Sequence, residues 1–510
     1  MGFGGVKGDM YMSALKVIKS IEELQYLFKI LKDKNVSIFG ASKFGIEIYN
    51  IFRDENIQIS NIYDNDKKKV NTYFNNEIKI KKPSKAGIEE HIIIASMYYK
   101  EIYKQLKNMH IEHIYYIPHE IIDYYNYKRN LDVNLLSYIY SNKMKSYKSD
   151  KINILHLYDL MELGGIETHI ITLSNQLNKL NTNNIIVAPN GPAAELAIQY
   201  NLDYRAVDIN RKEMINEIVM EINSIIIENN INIIHTHSPT AQILGNFCGT
   251  LSRVPVVSTK HSVLHANYIE NIYNTVTKYV CVSDEVAKEC IKNGISREKI
   301  TIINNCVETV EEPQKSSFFK DDYIRITYIS RIVYDKFQAI VNLLSAVEKL
   351  DNFKLNIIGD GNMFHELKEI VRKNGRRENI SILGSKSNIS KYIMNSDVIV
   401  GVGRVILEAI ANGKFAICLG NVNYPGLINR EKLKKISEVN FTDRNIKRKF
   451  KDNFFIQDIE RIYNNFENEF DRLVDTYQFL HDYYSIEISA IKHYNLYKSI
   501  INKKYLYSRI

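Results

Sequence analysis

Short β-branched runs alternate with longer stretches of helical periodicity along nearly the whole chain. Buried strands are predicted at VSIFG, HIIIAS and HIYYI in the first part. Others are predicted at KINILHLY, NIIVAPNG, INIIHTHS, VPVVSTKHS, YVCVSD and ITIINN in the middle, and at IRITYISR, KLNIIGDG, ISILG, DVIVGVG and FAICLG beyond. Helical patterns lie between them, among them SIEELQYLFKIL near the start and IQDIERIYNNFENEFDRLVDTYQFL and IEISAIKHYNLYKSII near the end. That rhythm predicts an α/β protein of parallel sheets with helices on both faces.

Three blocks separate. The first, residues 1–148, ends in a polar, basic segment from about 120 to 150 with no strand pattern, expected to be a helical linker. The second, 149–318, and the third, 319–510, meet at VETVEEPQKSSFFKDD, where proline, serines and charges mark a boundary. Two α/β blocks of similar size joined by a short linker place a cleft between facing domains. Ligands are then expected beyond the carboxyl ends of the strands.

Composition adds limits. A chain of 510 residues suits about three domains, and 45% hydrophobic with 25% charged residues excludes a disordered protein. The net charge of +8 suits anionic lipid or phosphorylated substrates. No zinc-finger, basic-zipper or RNP-like string indicates a nucleic-acid partner. The five cysteines form no C-x-x-C pair and read as reduced thiols. No apolar run reaches the roughly 18 residues of a membrane span, and the first residues lack a signal-peptide core. The expected location is the cytoplasm, or peripheral at the inner face of the membrane.

Several strings carry chemistry. GGIETH sets Gly164 and Gly165 before a helix, where backbone N–H groups can meet a phosphate; a plain strand-to-helix turn explains the glycines equally well. SRIVYDK sets Arg331 and Lys336 just after a strand, where two cations can hold a diphosphate. IIGDGNMF sets Gly359 and Gly361 in another strand–turn–helix. DVIVGVGRVILEAIANGK sets Gly401 and Gly403 in a loop ahead of a helix from about Arg404 to Ala411. Glu408 lies inside that apolar helix, so it must meet either a ligand's hydroxyls or a buried cation; the ligand is expected. His235, His237 and His261 sit at two strand ends on the expected cleft side, with no convincing third partner for a metal. In the first block, Gly40 and Gly45 span a strand-to-helix turn and Asp64 ends the next strand, a dinucleotide-binding arrangement in outline. A structural or docking domain with an empty crevice is the equal alternative.

Over roughly 151–430 and the helix near 485–505, these strings together resemble family four of the glycosyltransferases, a retaining GT-B family. GGIETH is similar to its early glycine loop, TKH to its Thr-x-His, SRIVYDK to its Gly-Arg-Leu-x-x-x-Lys, and VGVGRVILE to its Glu-x7-Glu region. The resemblance implies two facing Rossmann-like domains, the acceptor domain at 149–318 and the nucleotide-sugar donor domain at 319–510. A third, smaller Rossmann-like domain at 1–148 precedes them and resembles those attached to sugar-modifying enzymes.

It also implies roles. Arg331 and Lys336 hold the donor diphosphate, with His261 beside the transferred sugar or acceptor, as the catalytic set. Gly164, Gly165, Gly359, Gly361, Gly401, Gly403, Arg404 and Glu408 line the donor side, Glu408 at the ribose, and His237 lies on the acceptor side. Gly40, Gly45 and Asp64 form a candidate nucleotide site in the first domain. The activity implied is retaining transfer of a hexose from a nucleotide sugar, the co-substrate, to a glycan, lipid-linked or protein acceptor in bacterial surface polysaccharide or glycoconjugate synthesis. No cofactor or metal is required. Val400 stands where the family has the first Glu of Glu-x7-Glu. It favours the alternative reading, a catalytically degenerate GT-B scaffold that binds a nucleotide or sugar.

Overall fold

Local rules set the helix starts. Ser20, Ser42, Ser238 and Ser283 each stand in extended backbone ahead of a helix and accept an N–H from its first turn. The strands between the helices are buried along nearly their whole length, as parallel strands covered on both faces must be. The computed structural model describes residues 15–83, 91–132, 151–162, 164–263, 275–310, 312–320, 322–375, 377–386 and 388–507, with side chains up to 502. The chain divides into two compact units. The described residues up to 132 form the first together with 211–216, and the rest form the second.

The first unit holds strands β1 (Lys16–Val17), β2 (Val36–Phe39), β3 (Ile59–Tyr63), β4 (Tyr73–Phe74), β5 (Ile78–Lys81), β6 (His91–Ile94) and β7 (His113–Tyr116) in the order β1-β7-β6-β2-β3-β5-β4. All pairs are parallel except β4 with β5. Helix α1 (Lys43–Asp54) follows β2. The first stretch of the expected helical linker is a helix, His119–Asn130, and it buries Ile121, Ile122, Asp123 and Tyr127 within this unit. Asp123, though wholly buried, is paired with His119 (3.2 Å) and Lys212. Burial pushes the Asp123 carboxyl up, but those two partners outweigh it and hold it below the usual range. The remainder of that stretch, 133–150, lies outside the described residues.

The second unit carries two sheets. One has β8 (Ile152–Leu157), β9 (Thr182–Ala188), β10 (Asp203–Ala206), β11 (Ile233–Thr236), β12 (Val256–Lys260), β13 (Lys278–Cys281) and β14 (Ile300–Ile302), all parallel, in the order β10-β9-β8-β11-β12-β13-β14. The other has β15 (Ile324–Ile329), β16 (Phe353–Ile358), β17 (Ile380–Gly384), β18 (Val398–Gly401), β19 (Phe415–Cys418) and β20 (Gly426–Leu427) in the order β17-β16-β15-β18-β19-β20, with only β20 antiparallel. Strand order reverses between β8 and β11 in one sheet and between β15 and β18 in the other. At such points successive crossovers leave toward opposite sides and open a crevice at the strands' carboxyl ends.

Three helices matter most here: α2 (Gly165–Asn178), α3 (Arg404–Ala411) and α4 (Ile486–Tyr507). α4 returns to the first of these two sheets. Its entry is fixed by Val307 N–H donating to Tyr484 O and Ile486 N–H to Val307 O. Ile486, Ala490, Tyr497 and Ile500 then join a core with Ile154, Leu173, Ile233 and Val257. Each fully buried aliphatic side chain there is worth roughly 1.5–3 kcal/mol.

Candidate active site

The crevice of the third sheet is built from two loops. After β15 the chain carries Arg331 and Lys336. That loop is held from below by the one after β16: Ser330 N–H donates to Ile358 O (3.1 Å), Ile332 N–H to Asp360 O (2.9 Å), and Met363 N–H to Ile332 O (3.0 Å). A Cβ on Gly359 would collide with Ser330 O, and one on Gly361 with Ile332 O; both glycines also have positive φ, 142° and 153°. These two glycines therefore serve the close approach of backbone to backbone that places Arg331.

Arg331 is exposed and Lys336 half-buried. Among the described residues neither has an ion-pair partner. Burial lowers the Lys336 pKa, the neighbouring Arg331 charge lowers it further, and Asp335 offsets only part of this. Two neighbouring cations with no ion-pair partner among the described residues form a site suited to a diphosphate.

After β18 the backbone turns at Gly403, with φ 74°. This residue caps α3 without a side-chain acceptor, and a Cβ there would meet nothing within 4 Å. The open N-terminus of α3 faces space that an anion can fill.

Within α3, Arg404 Nε donates to Glu408 Oε1 at 2.8 Å and Arg404 Nη1 to Cys306 O at 2.8 Å. Of the two partners expected for Glu408, the structure shows the cation. Residues four apart share a helix face, so Arg404 supplies the cation that makes the burial tolerable.

Val400 lies within β18, paired with Tyr328 and Ile417, and is fully buried in that sheet's core.

Across from these loops stands the N-terminus of α2. Gly164 caps it without a side-chain acceptor. A Cβ on Gly164 would lie 2.5 Å from Glu167 Oε2, and one on Gly165 3.8 Å from Arg404 Cδ. Glu167, which pattern reasoning passed over, thus folds back over the first turn. Burial raises its pKa, its own backbone N–H and the Arg331 charge pull the other way, and the net direction is upward. Arg331 also acts on Tyr158, so the two sheets of the second unit face each other through these groups. Asn440 Nδ2 donates to His261 O at 3.3 Å and faces Asn305 through Oδ1 at 2.7 Å, adding polar ties between the halves.

The β8/β11 crevice is filled by histidine. Six of the chain's 13 histidines (His156, His169, His235, His237, His261 and His493) are buried together. His156 on β8 is in register with His235 on β11. His156 Nδ1 is 3.1 Å from His237 Nε2, and His237 Nδ1 is 3.4 Å from His261 Nε2. His235 meets Thr259 Oγ1 and Tyr497 OH, each at 2.7 Å.

Burial lowers these rings: His156 and His493 to about 4, and His169, His235 and His237 well below their ordinary value. These five are neutral at pH 7. His237 and His261 stand side by side, while His235 is occupied by its bonds to Thr259 and Tyr497. His156 and His169 were passed over, although His156 lies in the strand KINILHLY and His169 ends the motif GGIETH. His493 and Tyr497 gave no sequence signal, because only the return of α4 brings them in.

Ring nitrogens of His156, His235 and His237 lie within 4.8 Å of one another, as do ligand atoms of Glu47, His119 and Asp123. Neither group is poised for a metal. The ring nitrogens of the first are engaged in the bonds above or with Asn184, and Lys212 pairs with both Glu47 and Asp123 in the second.

In the first unit, the three candidate nucleotide residues close the turn on itself. Gly40 has φ 124° and a Cβ there would strike Ala95 O; one on Gly45 would strike Gly40 O. Asp64 accepts the N–H of Ala41 through Oδ2 and of Asp66 through Oδ1, both at 2.8 Å. Among the described residues no helix is long and apolar enough to cross a membrane.

Residues 163–311 match the domain family described as Glycosyltransferase Family 4, and residues 309–452 match Glycosyl transferases group 1. An uncharacterized glycosyltransferase of Methanocaldococcus jannaschii is 27% identical over 179 residues, 31% of this chain; the match spans 44% of that relative's length, less than half. A glycosyltransferase of Rickettsia africae superposes with TM-score 0.54 at 19% identity, covering 69% of this chain and 99% of that one. Anabaena HepE, solved in complex with UDP-glucose, superposes with TM-score 0.55 at 16% identity over 68% of this chain and all of that one. At those identities the two structures speak to fold alone.

Proposed function

This chain belongs to glycosyltransferase family 4 and has its GT-B fold, and from that premise we propose that it transfers a hexose from a nucleotide sugar with retention at the anomeric carbon. The observation that carries the reading is the pair Arg331 and Lys336, two cations with no ion-pair partner among the described residues, beside the uncapped N-terminus of α3. As the anomeric carbon–oxygen bond breaks, negative charge grows on the diphosphate. Cations and helix N–H groups already in place stabilise that charge without reorganising. The same groups supply what a metal would, so the reading requires none. The UDP-glucose bound by Anabaena HepE supports a nucleotide-sugar donor.

In this reading the block 319–510 holds the donor and 149–318 the acceptor. Glu408 Oε1 is committed to Arg404. The other oxygen, Oε2, meets the donor ribose. Gly401 and Gly403 let sugar and phosphate approach the backbone, Gly164 and Gly165 leave room at the α2 terminus, and Gly359 and Gly361 hold the Arg331 loop. His261 lies at the transferred sugar. The acceptor is a glycan, a lipid-linked sugar or a protein in bacterial surface glycoconjugate synthesis, met in the cytoplasm or at the inner face of the membrane. The first unit acts as a structural or docking domain, since its glycine turn is closed by its own backbone and Asp64.

The matches of residues 163–311 and 309–452 to glycosyltransferase families do not favour a scaffold reading. The test is turnover of a panel of nucleotide sugars by the full chain and by Arg331→Ala and Glu408→Ala. Loss in both variants is expected, and unchanged turnover would remove these residues from the site.

A further inference from the structure

Arg404 stands where local helix rules disfavour it. It is the first residue of α3, whose opening turn holds no acidic side chain, so its charge sits at the positive end of the helix dipole. An arginine four residues ahead of a glutamate is also the weaker order for a helical ion pair. The reason for the arginine is tertiary. Its guanidinium forks between two acceptors: Nε donates to Glu408 Oε1 and Nη1 to Cys306 O, each at 2.8 Å. Cys306 belongs to the segment that joins the two sheets of the second unit. Its neighbour Val307 is fixed by backbone bonds to Tyr484 and Ile486, and both Cys306 and Val307 are buried. Glu408 is thus tied, through one side chain, to backbone that cannot easily move. The side chains of Arg404 and Glu408 are only 13% and 19% exposed, so water and salt screen the pair less than they would at the surface.

We propose that Arg404 is a positioning residue that aims Glu408 at the donor ribose, and not a ligand of the diphosphate. This rests on the reading that Glu408 meets the ribose. A glutamate by itself moves among several rotamers, and holding one of them costs entropy. The fork fixes Oε1 before the donor arrives, so the ribose hydroxyls meet an acceptor already in place and less ordering is left to do on binding. A lysine could not replace it, because a single ammonium has no planar fork to span two acceptors. One anchor lies on the helix whose N-terminus faces the diphosphate, and the other lies on the backbone between the sheets. The ribose contact is therefore set by the joint of the two halves as well as by α3.

The test is calorimetric titration of the full-length protein with UDP, with GDP in parallel, and with inorganic pyrophosphate, which keeps the diphosphate and lacks the ribose. In Arg404→Met the tighter nucleotide should bind about tenfold more weakly, while pyrophosphate stays within about twofold of the unmutated protein. Glu408→Ala should show the same split. The double variant should bind the nucleotide no more weakly than Glu408→Ala, because both changes remove one interaction. Arg404→Lys keeps the charge without the fork. It should lose roughly threefold for the nucleotide and nothing for pyrophosphate, and it carries the comparison if Arg404→Met does not fold. Equal weakening of nucleotide and pyrophosphate in a folded Arg404 variant would make Arg404 a phosphate ligand and overturn the proposal. So would losses that multiply in the double variant, or unchanged nucleotide affinity in Arg404→Met. Failure of the functional reading looks different: full nucleotide affinity in Glu408→Ala would mean that no ribose contact exists to be positioned, and the proposal would go with it.

Discussion

Gly40 and Gly403 each follow a buried parallel strand and each stand ahead of a helix, yet the polar groups around them end in opposite states. At Gly40 the turn is closed. Ser42 caps the helix by accepting the Gly45 N–H, Asp64 takes the Ala41 N–H, and Ala95 O lies where a Cβ would go. At Gly403 the helix has no side-chain cap, the space beside the glycine is empty, and Arg331 and Lys336 have no ion-pair partner among the described residues. Glycine spacing reports a tight strand-to-helix turn in both cases. Only the state of the surrounding donors, acceptors and charges separates a turn that has satisfied itself from one that awaits a ligand.

The largest expected effect divides the two units by pH. In the second unit the buried histidines have folded pKa values below the unfolded 6.5, so the unfolded chain binds more protons once the pH drops below 6.5. Stability is intact above that value and falls as pH goes from 6.5 toward 4, by roughly 1.4 kcal/mol per pH unit for each histidine kept neutral. In the first unit His119 has the opposite sign. Burial lowers its pKa, but Asp123 and Glu47 raise it more, so its contribution is full below 6.5 and is lost as pH rises through the raised value. Limited proteolysis across an acid series should cut the second unit first, and simultaneous loss of both would break the distinction.

Next in size, Arg331→Ala should lower kcat/KM for sugar transfer by about 100- to 1,000-fold, the scale of a lost charge stabiliser at a developing anion. Steady-state kinetics with the preferred donor would show it. A change in KM alone would mean that Arg331 binds ground and transition states equally.

Smaller still, Asp64→Ala should destabilise the first unit by roughly 1–3 kcal/mol, because two backbone N–H groups lose their acceptor. Transfer should be untouched. A thermal-unfolding comparison decides it, and unchanged stability with lost nucleotide binding would reopen the first crevice as a ligand site.

The smallest effect is expected for Gly403→Ala, about 1–2 kcal/mol of backbone strain with no collision. Gly40→Ala should cost more, because the same strain is joined by contact with Ala95 O. Equal losses would show that the open space at Gly403 is not open in solution.

Much of this was legible in the chain. The strand-to-helix units, the helix from Arg404 to Ala411 and the places of the glycine turns follow from local periodicity and capping. So does the adjacency of Arg331 to a strand end. The partners of buried polar groups were less legible. Glu408 in an apolar helix had to meet something, and the sequence could not choose between a ligand and Arg404, since both satisfy the same burial rule. The segment from 120 reads as a helical linker because its charges are visible in sequence while the pairing of Asp123 with Lys212, some ninety residues on, is not.

Patterning and turn chemistry, which act within a few residues, determined by themselves that this protein is a set of parallel α/β units with glycine turns and cations at the strand ends. Strand order is a long-range property, and it decided the rest. It set β8 beside β11 so that histidines far apart in sequence share one hydrogen-bonded chain, and it turned Val400 into the core. It also returned α4 to deliver His493 and Tyr497. At Gly40 and Gly403 the sequence specified the same local turn, and the packing of distant groups around it left one closed and the other open.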